Sequence, residues 1–371
     1  MSVMPVNGPA LVTFVGGMEP GPAAELVAGA HDAIALDLFA AARASGAFER
    51  SFLVTDRPAL AAAVPPEVEV EAGTAPFHVG RRLAELVARH GLTRVLYFSR
   101  GALPFITPAD LAAIADQLCA ADALVITNNL FSADLIGVTP ARALDRIPLP
   151  AIDNPLARLL QQEAGLPVCL LERNATTQFD LDTPTDLIVM QVHGGVGDRT
   201  AAYLESIRLD DSTVRRAMRP FTQLGKEVIV AGRVSSATWE RLEKATLARV
   251  RVFSEERGMK ADSRIQDARS LLGFYVEALG PEALFAALGR LADSAFLDSR
   301  VLFAHLGLTL STEDRFQSDL GNWELICDPL AARITRAARE APLPVVLGGH
   351  SLVSGGLWAL VDAAWGEREA G

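Results

Sequence analysis

Four loops in the second half of the chain gather side chains suited to acid–base or anion-binding chemistry. They are Gly232-Arg233-Val234-Ser235-Ser236, Ser254-Glu255-Glu256-Arg257-Gly258, His305-Leu306-Gly307 and the run GGHSLVSGG from Gly348 to Gly356. An imidazole such as His350 titrates near neutrality and can give or take a proton. Arg233 and Arg257 carry forked cations that match a phosphate or carboxylate. Glycines let backbone amides approach an anion, and the apolar helical pattern Leu357–Ala364 would add the positive end of its dipole. Together these residues predict an anion site with His350, Arg233 and Arg257 as its catalytic groups. Taken singly, each loop also reads as an ordinary turn, with Ser351 or Ser354 as a helix cap. No Gly-x-Ser-x-Gly nucleophile motif accompanies Ser351, which follows Gly348-Gly349-His350 and precedes Leu352-Val353. Asp293, Asp298 and Asp319 read as helix-surface carboxylates.

The first half offers a second set. Gly16-Gly17 follows the apolar run Ala10–Val15 and can cradle a phosphate or simply turn the chain. Asp56, in Thr55-Asp56-Arg57-Pro58, stands where a strand ends and can contact a base or ribose, or make a turn. Asn128-Asn129 is a similar case. Asp180 and Asp182 lie in Thr177–Leu187, TQFDLDTPTDL. They can hold a cation, although Asp or Thr before Pro also caps a helix well. The histidines show no mutual ligand spacing, and Arg81, Arg82 and Arg89 read as a solvated helix face.

Strand–helix alternation must position these groups. Apolar runs predict strands at Ala10–Val15, Arg50–Thr55, Arg94–Phe98, Ala123–Thr127 and Val168–Leu171, with helices at Ala35–Ser45, Val79–His90 and Pro108–Cys119 between them. Thr107 should cap the last of these, with Pro108 at its first position. The glycine-rich Gln191–Thr200 reads as a linker. After it, helices are expected at Thr200–Leu224, Ala237–Thr246, Arg264–Ala278, Pro281–Ala292 and Pro329–Glu340. Strands are expected at Glu227–Ala231, Ala248–Phe253, Arg300–Ala304 and Pro344–Leu347. The fold class is therefore α/β, with two domains, 1–190 and 198–371. Each is a mostly parallel sheet flanked by helices, and ligands are expected at the carboxyl ends of its strands.

Three segments of the first half, in order, resemble the nucleotidyltransferases of glycosyltransferase-A type fold, such as the molybdopterin, phospholactate and sugar-phosphate nucleotidyltransferases. They are LVTFVGGMEPG (Leu11–Gly21), VLYFSRGALPFITPADL (Val95–Leu111) and TQFDLDTPTDL. The resemblance covers about residues 8–190. It implies a nucleoside triphosphate lying across the strand ends and held by the Gly16-Gly17 turn. It implies Mg²⁺ on two aspartates, and attack on the α-phosphorus by a phosphorylated small molecule. Asp182, with Asp180 beside it, matches the second metal position. The chain departs from the pattern twice: Ala102-Leu103-Pro104 replaces Asp-x-Pro, and Glu19 stands where the family places a basic residue. The resemblance thus implies either a nucleotidyltransferase or a catalytically retired domain kept for binding, regulation or scaffolding.

Composition narrows the classes. The chain has 371 residues, 50% of them apolar, and a net charge of −11, which disfavours nucleic acid and anionic membranes as partners. Cys119, Cys169 and Cys327 form no ligand or disulfide framework and are expected to be buried thiols. The first residues lack signal-peptide features and no apolar run is long enough for a membrane span, so a cytoplasmic setting is expected. Long apolar helical patterns are compatible with a homodimer.

Overall fold

A computed structural model of the chain describes residues 8–73, 77–259 and 267–370. The fold is mixed α/β with two sheets. The first has seven strands: β1 (Ala10–Val15), β2 (Arg50–Thr55), β3 (Val68–Ala72), β4 (Val95–Phe98), β5 (Leu124–Thr127), β6 (Leu135–Thr139) and β7 (Val168–Leu170). Their order is β3-β2-β1-β4-β6-β5-β7, and β6 runs antiparallel to both its neighbours. The second sheet has β8 (Glu227–Gly232), β9 (Arg249–Ser254), β10 (Ser294–Asp298) and β11 (Val345–Gly348), all parallel, in the order β11-β10-β8-β9.

The chain divides into two compact units that are discontinuous in sequence. The first comprises Met1–Met18, Ala30–Thr177 and Val196–Thr200. The second comprises Glu19–Gly29, Gln178–Gly195 and Ala201–Gly371. The second unit thus takes in two stretches that precede residue 198.

In the first sheet successive residues serve opposite faces. Val12, Phe14, Phe52, Val95 and Tyr97 enter one apolar cluster, and Leu11, Val15, Leu53, Leu96 and Phe98 enter another. This two-sided burial explains why its central strands read as unbroken apolar runs. The Pro108–Ala120 helix starts as its sequence predicts: Thr107 accepts from the Asp110 amide, and Asp110 accepts from the Thr107 amide.

Several expectations are corrected. Arg300–Ala304 is part of a helix, Ser299–His305, and the strand is the preceding run Ser294–Asp298. Two adjacent apolar runs compete here, and the wholly buried one nearer the preceding turn pairs with β8 and β11. His305 consequently closes a helix and does not follow a strand. The helix expected over Thr200–Leu224 is broken into Asp198–Ile207, Ser212–Met218 and a short 3-10 turn at Arg219–Thr222, where Pro220 lacks the amide a helix interior needs. The Gln191–Thr200 linker shrinks to residues 194–197 between two helices. Part of the helix expected from Arg264 falls on 264–266, outside the described residues; its described part begins at Leu271. The strands β3 and β6 are additional. Cys119 and Cys327 are exposed, not buried.

Asn128-Asn129 organises the β5–β6 connection. The Asn128 carboxamide oxygen accepts from the amides of Asp134 (3.0 Å) and Leu135 (3.1 Å), and its nitrogen donates to Asp134 Oδ2 and the Thr177 carbonyl. The side chain is buried. Asn128→Ala strands these partners, and stability should fall by about 2–4 kcal/mol, measured as a lower urea midpoint with an unchanged slope.

Candidate anion site and a buried charge network

In the first unit, β1, β2 and β4 are mutually parallel, so their exits reach one edge of the sheet. Gly16-Gly17 follows β1, Asp56 follows β2 and Arg100 follows β4 by two residues. The structure brings three of the predicted residues together here. A side chain at Gly16 would collide with the Asp56 carboxylate. Gly17 has φ +70, a conformation that favours glycine, and a side chain there would lie 3.8 Å from Arg100 Nη1.

Arg100 is a candidate residue that sequence reasoning missed. Its Nη1 donates to the carbonyls of Gly16 (2.6 Å) and Gly17 (3.1 Å). The side chain is exposed, and among the described residues no carboxylate forms an ion pair with it. Four other arginines of this unit are engaged: Arg50 by Glu69, Arg57 by Asp32, and Arg82 and Arg89 by Glu71. Near Arg100, Tyr97 donates its hydroxyl to Asp153 (3.0 Å). Burial pushes the Asp153 carboxyl upward, against the hydrogen bond from Tyr97 and the charge of Arg100.

The metal implied by the resemblance does not fit this turn. Ala102, in the position of the first metal carboxylate, is 3% exposed and belongs to the apolar cluster with Leu103 and Leu111. It offers no oxygen. Among the described residues no three His, Cys, Asp or Glu side chains are grouped to share an ion.

Asp180 and Asp182 belong to the second unit, and Gly16, Gly17 and Asp56 to the first. Asp182 is exposed, and its amide donates to Asp186 Oδ2 (3.0 Å). Thr183 caps the Pro184–His193 helix and is bonded reciprocally with Asp186. Asp186 Oδ2 also accepts from Ser351 Oγ (2.7 Å), and Thr185 Oγ1 donates to the Leu347 carbonyl (2.7 Å). These bonds tie the helix to the exit of β11. Glu19 also belongs to this unit; Thr312 donates to it through both amide and hydroxyl and lowers its pKa. The first amides of the Pro22–Ser45 helix, at Ala23 and Ala24, donate to Glu313.

The second sheet reverses its winding between β8 and β10, the place where open α/β sheets form a crevice. Arg233 and Asp298 occupy those two exits and bind each other, Nε to Oδ2 at 2.6 Å and Nη2 to Oδ1 at 3.1 Å. Both are buried. Burial raises the Asp298 pKa, but Arg233, His350 and Arg300 together hold it below the usual carboxylate value. A second buried fork joins Arg300 to Asp319, with 2.6 Å at each contact. Asp298 and Asp319, read from sequence as surface carboxylates, are thus the internal counter-ions. Arg233 is neutralised within the fold, His350 lies close enough to Asp298 to act on it electrostatically, and Arg257 is exposed in the turn after β9.

No protein-family model and no curated protein matches the chain. Solved structures similar to part of it include a Desulfovibrio desulfuricans protein assigned as a nucleotide-diphospho-sugar transferase. That match has 18% identity, 53% of this chain, 97% of that one and a TM-score of 0.40. A cytidylyltransferase from Leptospira borgpetersenii matches at 14% identity over 54% of this chain and 93% of that one, with a TM-score of 0.38. A CMP:2-keto-3-deoxy-manno-octonic acid synthetase complexed with CTP matches at 15% identity over 54% of this chain and 97% of that one, with a TM-score of 0.34. Among the described residues no helix is long and apolar enough to cross a membrane.

Two outcomes are expected. Arg233→Ala leaves Asp298 buried without its counter-ion and should destabilise the fold by about 3–5 kcal/mol, measured by chemical denaturation. Burial first, and the charge of Asp182, raise the Asp186 pKa from 3.8 to about 7 despite the donors at Oδ2. The folded chain then holds a proton that the unfolded chain has released. This contribution to stability is full below pH 3.8 and is lost as the pH rises through about 7. Asp186→Asn should flatten that decline in denaturation midpoints followed against pH.

Proposed function

We propose that this chain is a nucleotidyltransferase-like protein that binds a nucleotide or a sugar phosphate at the carboxyl edge of its seven-stranded sheet. The observation that carries the proposal is Arg100: an exposed guanidinium fixed on a glycine turn, with no carboxylate pairing it among the described residues. Such a group holds its charge ready for an anion at little ordering cost. Asp56, against Gly16 in the same turn, is an exposed acceptor that suits the hydroxyls of a ribose or hexose. A phosphate and a sugar hydroxyl on one small molecule would satisfy both. The three segments that resemble the nucleotidyltransferases point to the same ligand class.

Ala102 favours a second reading, in which the fold binds this ligand without transferring a nucleotidyl group. The resembled chemistry relies on a metal to offset charge that grows at the α-phosphorus, and this turn supplies no donor for it.

Thermal stability with each nucleoside triphosphate, nucleoside monophosphate and hexose phosphate tests the proposal. A ligand present at about a hundredfold over its dissociation constant stabilises the folded chain by about 2.7 kcal/mol. At least one should raise the melting temperature, and Arg100→Ala or Asp56→Ala should remove the rise at the same concentration. No rise with any of them would overturn the proposal.

A further inference from the structure

The charge balance around the turn leads one step further, and this step rests on the binding proposed above. A divalent ion would bring two positive charges to the phosphate. Position 102 provides a buried methyl group instead, packed with Leu103 and Leu111. Two residues earlier, the same β4 exit provides Arg100. One nitrogen of its guanidinium is spent on the carbonyls of Gly16 and Gly17. Nε and Nη2 are left as a donor pair on a planar fork, the geometry that binds two phosphate oxygens.

We infer that Arg100 stands in for the divalent ion, so that the site binds its phosphate ligand without metal and selects ligands of low charge. The class is a phosphate monoester or diester on a hydroxylated sugar: a nucleoside monophosphate, a hexose phosphate or a nucleotide sugar. The triphosphate is disfavoured for a specific reason. A single guanidinium with the Asp56 carboxylate nearby offsets little of a triphosphate's charge, and like charges repel more strongly where water is excluded. A metal-loaded site would invert that order, since chelation across a polyphosphate is what a divalent ion does best.

Isothermal titration of the full chain tests this, using AMP, CMP, GMP, UMP, the matching triphosphates, glucose 1-phosphate and UDP-glucose, each in EDTA and again in excess Mg²⁺. At least one monophosphate, hexose phosphate or nucleotide sugar should bind equally in both buffers, and more tightly than any triphosphate in EDTA. Which arm responds identifies the source of the phosphate. Arg100→Ala, at an exposed position, should weaken that binding about tenfold or more, and Arg100→Lys, which keeps the charge and loses the fork, should fall between. Binding that needs Mg²⁺, or that favours the triphosphate in EDTA, would overturn this inference and leave the binding proposal standing, whereas binding that survives Arg100→Ala would overturn both. No binding by any compound in either buffer would overturn both.

Discussion

Parallel pairing is the constraint on which each unit depends. When β1, β2 and β4 run the same way, the chain must return over a face of the sheet after each strand, and every exit arrives at one edge. The same holds for β8, β10 and β11. Residues far apart in sequence, such as Gly17 and Arg100 or Arg233 and Asp298, become neighbours because of that geometry. The covered faces remove the sheet from water, and only the exits remain free to carry polar groups. The antiparallel β6 interrupts the first sheet beyond β4 without disturbing the exits of β1, β2 and β4.

The two edges resolve their charge in opposite ways. In the second sheet the cations at the switch point are matched inside the fold: Arg233 by Asp298, and Arg300 by Asp319. Burying a charge is costly unless its partner is buried with it, so such pairs are fixed parts of the architecture and poor candidates for releasing a cation to a ligand. In the first sheet Arg100 is exposed and held only by uncharged carbonyl groups, which orient it without cancelling its charge. An arginine is informative about ligands when its counter-ion is missing, and that contrast distinguishes Arg100 from Arg233 and Arg300.

Much of the fold was legible in the sequence. Eight of the strands sit within a residue or so of where their apolar runs place them, because buried parallel strands are written as β-branched and aromatic runs. The Thr107 cap was legible for a similarly local reason. β3 escaped notice because VEVEA is an edge strand with alternating polarity, and β10 was displaced into RVLFA because both segments are apolar and short. Arg100 was in plain view within SRGALP, but its significance lies in its exposure and in the absence of an ion pair to it among the described residues, a property of space and not of sequence. Asp298 and Asp319 were misjudged for the converse reason: pairing across 65 and 19 residues gives no local pattern.

The residues that carry the resemblance to nucleotidyltransferases can be separated by the work they do in this chain. Asp186, in the late motif DTPTD, caps the Pro184–His193 helix and ties it to the β11 exit through Ser351. Those contacts are sufficient reason for that residue whether or not any metal is bound. Glu19, the residue that would repel a triphosphate in the resembled arrangement, is bound by Thr312 within the second unit. At the β4 exit the neutral Ala102, buried in the apolar cluster, stands two residues from the exposed, cationic Arg100. The alanine contributes no charge to that exit, and the exposed arginine contributes a positive one. An exit with an exposed cation and no side-chain oxygen at position 102 is the electrostatic ground on which the anion proposal stands.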